Sequence, residues 1–322
     1  MVEAAAHLTD HIFPRLPVRQ WVLSVPKRLR YFMQRDGVVL NMVLRIFLRV
    51  IEQSLQTHCP GAAQVDKAAL HIGAVAFIHR FGSSLNEHVH FHVCVVDGVF
   101  EVVQGEGDAT TTPPGIIFHP ASGIDETAVA QVQADLRRRI LRAFLGRGLL
   151  ESVDAKEMLT YKHSGFSVEA GVCIEAHDRA ALERLLRYCA RPPFAMDRLR
   201  KEGSALVYRC AKQHSELAAG GKVAELVLTP PELIERIAAL VPPPRTHRHR
   251  YFGVLAPNSP LRASVTALAL AAPCAVCPRP HPTSAASAKR SRQAQSPVPR
   301  RARPSRQWSL PTAHLRTTCG RS

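Results

Sequence analysis

Apolar positions along the chain switch repeatedly between a period of two and a period near 3.6, and the switches mark the elements. "VRQWVLSVP" (Val18 to Pro26) alternates around Trp21, Leu23 and Val25 and predicts a first strand, stopped by the proline. Arg28 to Gln34 then reads as a short basic helix. Val38 to Leu55 sets Leu40, Val43, Leu44, Phe47, Val50 and Ile51 on one helical stripe, which Cys59-Pro60-Gly61 ends. "LHIGAVAFIHRF" (Leu70 to Phe81) predicts a second strand. "GSSLN" is a connection of hairpin length, and His88 to Val96 is a third strand, closed by Asp97-Gly98.

Further short strands follow at "VFEVV" (Val99 to Val103) and "GIIFHP", then a helix from about Asp125 to Leu145. "VCIEAHDRAALERLLRYCARPP" joins a strand to a helix that Asp178 can cap and Pro192-Pro193 must stop. "ALVYRC" and "VAELVLTP" predict a strand pair. Thr229 caps a helix with Pro at its first position, running to about Leu240. "PPPRTHRHRYFGVLAPN" reads as a basic segment with two aromatic residues. Beyond about Ala271 the composition shifts to Ala, Pro, Ser and Arg, a signature of disorder. The expected organisation is a folded region over residues 1–270 and a disordered basic tail over 271–322.

Charge sharpens this division. The chain of 322 residues carries a net charge of +16, and the tail from Arg279 onward supplies ten of those charges with no acidic residue. Such an excess points to a polyanionic partner, nucleic acid before membrane. No stretch approaches the roughly 18 apolar residues of a membrane helix. The start, "MVEAAAHLTDHIFP", lacks the features of a signal peptide. Eight cysteines without pairing logic fit a reducing compartment, by default the cytoplasm. Cys274 and Cys277 form a lone CxxC without the second pair of a zinc ribbon.

The candidate chemistry lies in the third strand. Alternation puts His88, His90 and His92 on one face, each about 7 Å from the next, and Phe91, Val93 and Val95 on the other. Imidazoles two residues apart can lean onto one ion, and the pattern reads as a metal or phosphate site. His88 completes the alternating trio as a ligand with His90 and His92; Glu87 and His79 are the other candidates for the third place. Imidazole chemistry alone favours zinc over magnesium.

"FIHRFGSSLNEHVHFHVCVVDGVF", with its His90-Phe91-His92, resembles the rolling-circle transposases of insertion-sequence family ninety-one and the related common-region elements. These belong to the HUH endonuclease superfamily, named for two histidines flanking a hydrophobic residue. The resemblance continues through "QWVLSVPKRLRYF", "YKHSGFSVEAGVCIEAHDRAALERLLRYCARPPFA" and "RHRYFGVLAPNSPLR", covering roughly residues 7 to 270. It implies an α+β fold, an antiparallel sheet with helices packed on its outer face. It also implies a transposase that nicks and rejoins single-stranded DNA at the ends of its element, with magnesium or manganese as the ion. The competing expectation is a catalytically inactive DNA-binding remnant. Relatives carry a cysteine-rich zinc-binding module ahead of the segment matching "HLTDHIFP", and the resemblance implies that this module is missing here.

The same resemblance puts Tyr188 at the position of the nucleophile that forms a 5′-phosphotyrosine. The residue pattern agrees in part: Leu182, Leu185, Leu186 and Cys189 form an apolar stripe, and Tyr188 falls beside it. Arg184 at i−4 and Arg191 at i+3 share its flank, where positive charge suits a phosphate and favours the phenolate. Position 192 is Pro, so a second tyrosine one turn later is absent and the single-tyrosine variety is implied. Arg248, Arg250 and Tyr251 are the candidates for further DNA contact, by phosphate pairing and base stacking.

Overall fold

The structure is a computed structural model, and it describes residues 2–103, 115–161, 165–210, 225–241, 247 and 249–270. The chain divides into two units, Met1–Ala275 and Val276–Ser322, and all described residues lie in the first. The tail, its CxxC pair and Arg248 therefore lie outside the described residues.

The helices are α1 (Val2–His7), α2 (Lys27–Arg35), α3 (Gly37–His58), α4 (Glu126–Gly146), α5 (Ser152–Thr160), α6 (Arg179–Cys189), α7 (Pro230–Ala239) and α8 (Arg262–Leu270). The strands are β1 (Val18–Ser24), β2 (Leu70–His71), β3 (Gly73–Phe81), β4 (Glu87–Val96), β5 (Gly98–Val103) and β6 (Gly115–Pro120). They continue with β7 (Ser167–Ile174), β8 (Leu199–Glu202), β9 (Ala205–Arg209), β10 (Glu225–Leu228) and β11 (His249–Gly253). The fold is α+β. Its central sheet has the order β11-β3-β4-β1-β7, and every pairing in it is antiparallel. Two three-stranded sheets, β2-β5-β6 and β8-β9-β10, flank it in the topology.

Helices cover both faces of the central sheet. On one face Trp21, Leu23, Phe91, Val93 and Val95 pack against the stripes of α3 and α4. On the other, Val75, Phe77, Cys94 and Val96 pack against Leu182, Leu186 and Cys189 of α6, with Leu8, Phe13 and Val265 beside them. Because both faces are covered, β3 is buried along its whole length, and its first six residues, Gly73 to Ile78, are an apolar run with no alternation.

Local signals set the boundaries. The Asp36 carboxylate accepts from the Val38 and Val39 amides to cap α3, and Asp125 and Asp178 accept from Ala128 and Ala181 to cap α4 and α6. Thr229 and Glu232 form a capping box at α7, where Pro occupies the first turn. Between β3 and β4 the Gly82 amide donates to the Asn86 carbonyl at 2.8 Å, and Leu85 takes a positive φ of 54°. This is the expected hairpin.

Two expectations change. The run from Leu70 to Phe81 is two strands: β2 pairs with β5, and after Ile72 the chain enters β3 of the central sheet. At the break the Val254 amide donates to the Ile72 carbonyl, and a Cβ at Gly73 would stand 3.0 Å from Val254, so the crossing is tightly packed. The segment "HRYFG" (His249–Gly253) is no free loop either. Its residues form β11, an edge strand paired with β3. Alternation there puts His249 and Tyr251 on the α6 face, opposite Phe77 and Val75, and Arg250 on the α3 face.

Candidate metal centre

Register brings the histidines together. His90 of β4 pairs directly with His79 of β3, and His92 pairs with Phe77 on one side and Val22 on the other. His79, His90 and His92 then converge on the α6 face, with one ligand atom from each lying within 4.8 Å of the others. The rings of His79 and His92 are 4.4 Å apart, and His90 stands 5.0 Å from each. All three are buried, at 3%, 8% and 5% exposure. His79, on the neighbouring strand, is the member that completes this group. His88 lies nearer the start of β4, its ring 5.1 Å from that of His90.

Burial favours the neutral imidazole, the form that can ligate a metal. Burial first, then His90, push the His79 pKa down to about 3. His92 is pushed down to about 2 by burial and then by His79 and His90. His90 falls to about 4 through burial, against an upward pull from the His88 carbonyl, with Arg191 and Arg30 adding to the fall. His88 is also lowered to about 4, by burial and then by Arg30.

Hydrogen bonds fix which nitrogens face the centre. His79 Nε2 donates to the Cys189 carbonyl at 2.6 Å, leaving Nδ1 buried and without a partner. His90 Nδ1 donates to the His88 carbonyl at 3.0 Å, which leaves its Nε2 the lone pair. His92 Nδ1 lies 2.9 Å from the Gln20 amide nitrogen, and its Nε2 is buried without a partner. Two orphaned imidazole nitrogens at one buried point are what a cation site requires and what a core histidine avoids. The residues fit a divalent ion.

Helix α6 is anchored at both ends against this centre. At its start Arg179 donates to the carbonyls of Thr9, Phe13 and Pro14. At its end the Cys189 carbonyl accepts from His79. Between them Leu182, Leu186 and Cys189 of the expected stripe are buried and Leu185 is partly so, and Tyr188 sits off it with 46% exposure. The Tyr188 ring is 5.7 Å from that of His92, edge to face. The Arg191 guanidinium lies over the Tyr188 ring at 4.5 Å and over Phe81 at 5.7 Å, so it bridges the tyrosine to the mouth of the centre.

The other sequence candidates disperse. Arg184 is exposed one turn before Tyr188. Arg250 points to the opposite face of the sheet, where it donates to Asn41 of α3. Tyr251 shares the α6 face but packs in the apolar cluster there, under Arg262 at 4.9 Å. Sequence reasoning missed Arg30 and Gln20. Arg30 is close enough to depress His88 and His90, and its Nε is buried without a partner. Gln20 carried no signal in the sequence beyond being a polar residue on the other phase of β1.

No helix among the described residues is long and apolar enough to cross a membrane. No curated protein and no solved structure matches the chain. Residues 73–262 match the family model described as "Putative transposase", and this span holds β3, β4, the three converging histidines and all of α6. It is more than half of the sequence, and the chain therefore belongs to that transposase family.

Proposed function

We propose that this transposase nicks and rejoins single-stranded DNA through a covalent 5′-phosphotyrosine at Tyr188, in the manner of the HUH endonucleases and of insertion-sequence family ninety-one. The observation that carries the reading is the position of an exposed tyrosine ring 5.7 Å from His92, at the rim of a buried three-histidine centre. Among the other described tyrosines, Tyr208 is buried in a separate apolar cluster with Leu228 and Leu233, and Tyr251 is packed under Arg262.

His79, His90 and His92 would hold magnesium or manganese, which when bound draws negative charge off the scissile phosphate. Arg191 holds the Tyr188 ring in place and adds a positive charge beside the phosphate. The Tyr188 hydroxyl gives its proton to solvent and its oxygen attacks phosphorus. The bond from phosphorus to the 3′ oxygen breaks, and that oxygen takes a proton to become a free 3′ hydroxyl. Attack by a 3′ hydroxyl on the phosphotyrosine reverses these steps and rejoins a strand. Residues 1–270 would form the catalytic region, and the tail, rich in arginine, would add binding without sequence preference.

The test is to incubate the protein with labelled single-stranded element ends and divalent metal. Tyr188→Phe retains the ring and its packing, so stability should change by no more than about 1 kcal/mol, the worth of one hydrogen bond. Cleavage and the covalent adduct should vanish together in Tyr188→Phe and persist in Tyr161→Phe and Tyr208→Phe. An undiminished adduct in Tyr188→Phe overturns the assignment. Binding by the parent without any adduct identifies a remnant that holds DNA but no longer cuts it.

A further inference from the structure

A cavity of about 500 Å³ opens beside the histidine centre, between β3, the end of α6, α7 and the entry to β11. Its size falls within the range of about 300–1,000 Å³ typical of small-molecule sites. His79 belongs both to the metal-capable group and to the wall of this cavity, so whatever is bound at one is next to the other. Phe77, Phe81, Ile237 and Leu240 make most of the remaining wall apolar. Such walls repel a phosphate and suit the faces of a flat ring.

We propose that this cavity takes the nucleobase of a nucleotide flanking the phosphodiester at the histidine centre; the inference rests on the function proposed above. The shape of the chemistry favours a base over an apolar side chain of a protein partner. Arg191 stands in the wall with its guanidinium over Phe81, and its Nε is buried without a partner. A cation there faces the backbone phosphate of the strand whose base enters. His79 is stacked on Phe81, with ring centroids 5.0 Å apart and planes 18° from parallel, so this part of the wall is aromatic. His247 and His249, on the far wall, are hydrogen-bonding groups for the polar edge of that base.

The probe is a single-stranded thymidine oligonucleotide of about 16 nucleotides, bound without divalent metal so that no strand is cut. A second probe of equal length carries the same phosphates with every base removed. Leu240→Trp and Ile237→Trp put a ring into the cavity from the last turn of α7 and the residue that follows it. Each should weaken binding of the thymidine strand by about tenfold, the worth of one stacked base, and leave the baseless strand unaffected. Leu240 is buried and Ile237 only partly so, and circular dichroism identifies which variant is folded. Iodouracil placed along the strand should cross-link, in the parent protein, to peptides holding Phe77, Phe81 or His249. Equal loss for both probes, unchanged affinity in a folded variant, or cross-links confined to α2 and other surfaces would overturn the proposal. Neither readout needs cleavage. An absent phosphotyrosine adduct with persistent cross-links to the cavity therefore removes the catalytic reading and leaves the base site standing.

Discussion

Strand β4 has two faces that are equally dry and chemically opposite. Phe91, Val93 and Val95 meet α3 and α4 through carbon alone, whereas His90, His92 and Cys94 meet α6 across the same strand. The difference is in polar satisfaction: the α6 face gathers His79 Nδ1 and His92 Nε2, buried and unpaired, at one point, while the opposite face leaves Trp21 Nε1 of β1 without a partner. Each such atom costs about 1–3 kcal/mol, so a side that retains two at one point gives up stability that the other side keeps. The apolar face is what the fold stands on; the imidazole face gathers groups that could hold a metal ion.

Acid should separate the faces most strongly. His79, His90 and His92 have folded pKa values of about 3, 4 and 2, below the ordinary value of 6.5. Above pH 6.5 both folded and unfolded chains hold them neutral, and they contribute no pH dependence. As pH falls below 6.5 the unfolded chain takes up protons that the folded chain refuses, so stability is lost progressively toward pH 4 and below. Denaturant titrations at successive pH values should show this slope, and it should be shallower in His92→Leu. A slope identical in parent and His92→Leu would mean that His92 is not held neutral by the fold.

The apolar side is broken more simply. Phe91→Ala should lower the unfolding free energy by about 3–5 kcal/mol, the usual cost of emptying a buried phenyl site. Its loss should be the same at pH 5 and pH 8, because no proton is involved. A smaller, pH-dependent loss would show that the two faces are not independent.

The gentlest perturbation sharpens the centre itself. Gln20 presents its amide to His92 Nδ1, and for His92 to offer Nε2 to a cation that amide must turn and accept from Nδ1–H. Gln20→Leu removes this support and should weaken manganese binding about 10–100-fold, measured by calorimetry, without loss of cleavage at saturating metal. Unchanged affinity would mean that His92 is oriented by packing alone.

Much of this was legible in the sequence. The period-two run in β1, the stripes of α3 and α6, and the caps at Asp178 and Thr229 are local signals, and local physics decided them. What failed was long-range. β11 reads as a basic loop because its pairing partner, β3, lies about 170 residues away in the chain. The break at Ile72 is invisible because β2 and β3 are both apolar and differ only in which sheet receives them. His79 could be proposed as a ligand only as one of three choices, since the register that sets it against His90 comes from the folded hairpin.

One contact has a consequence for how this protein can drift under mutation. His79 donates through Nε2 to a main-chain oxygen, the carbonyl of Cys189, the residue that follows Tyr188. The acceptor is backbone, so a change of side chain at 189 leaves this tether in place. The donor is different: one codon, that of His79, supplies both a nitrogen of the metal-capable group and the clasp on the helix that carries the tyrosine. Losing it would break up the three-histidine group and release the end of α6 in a single step.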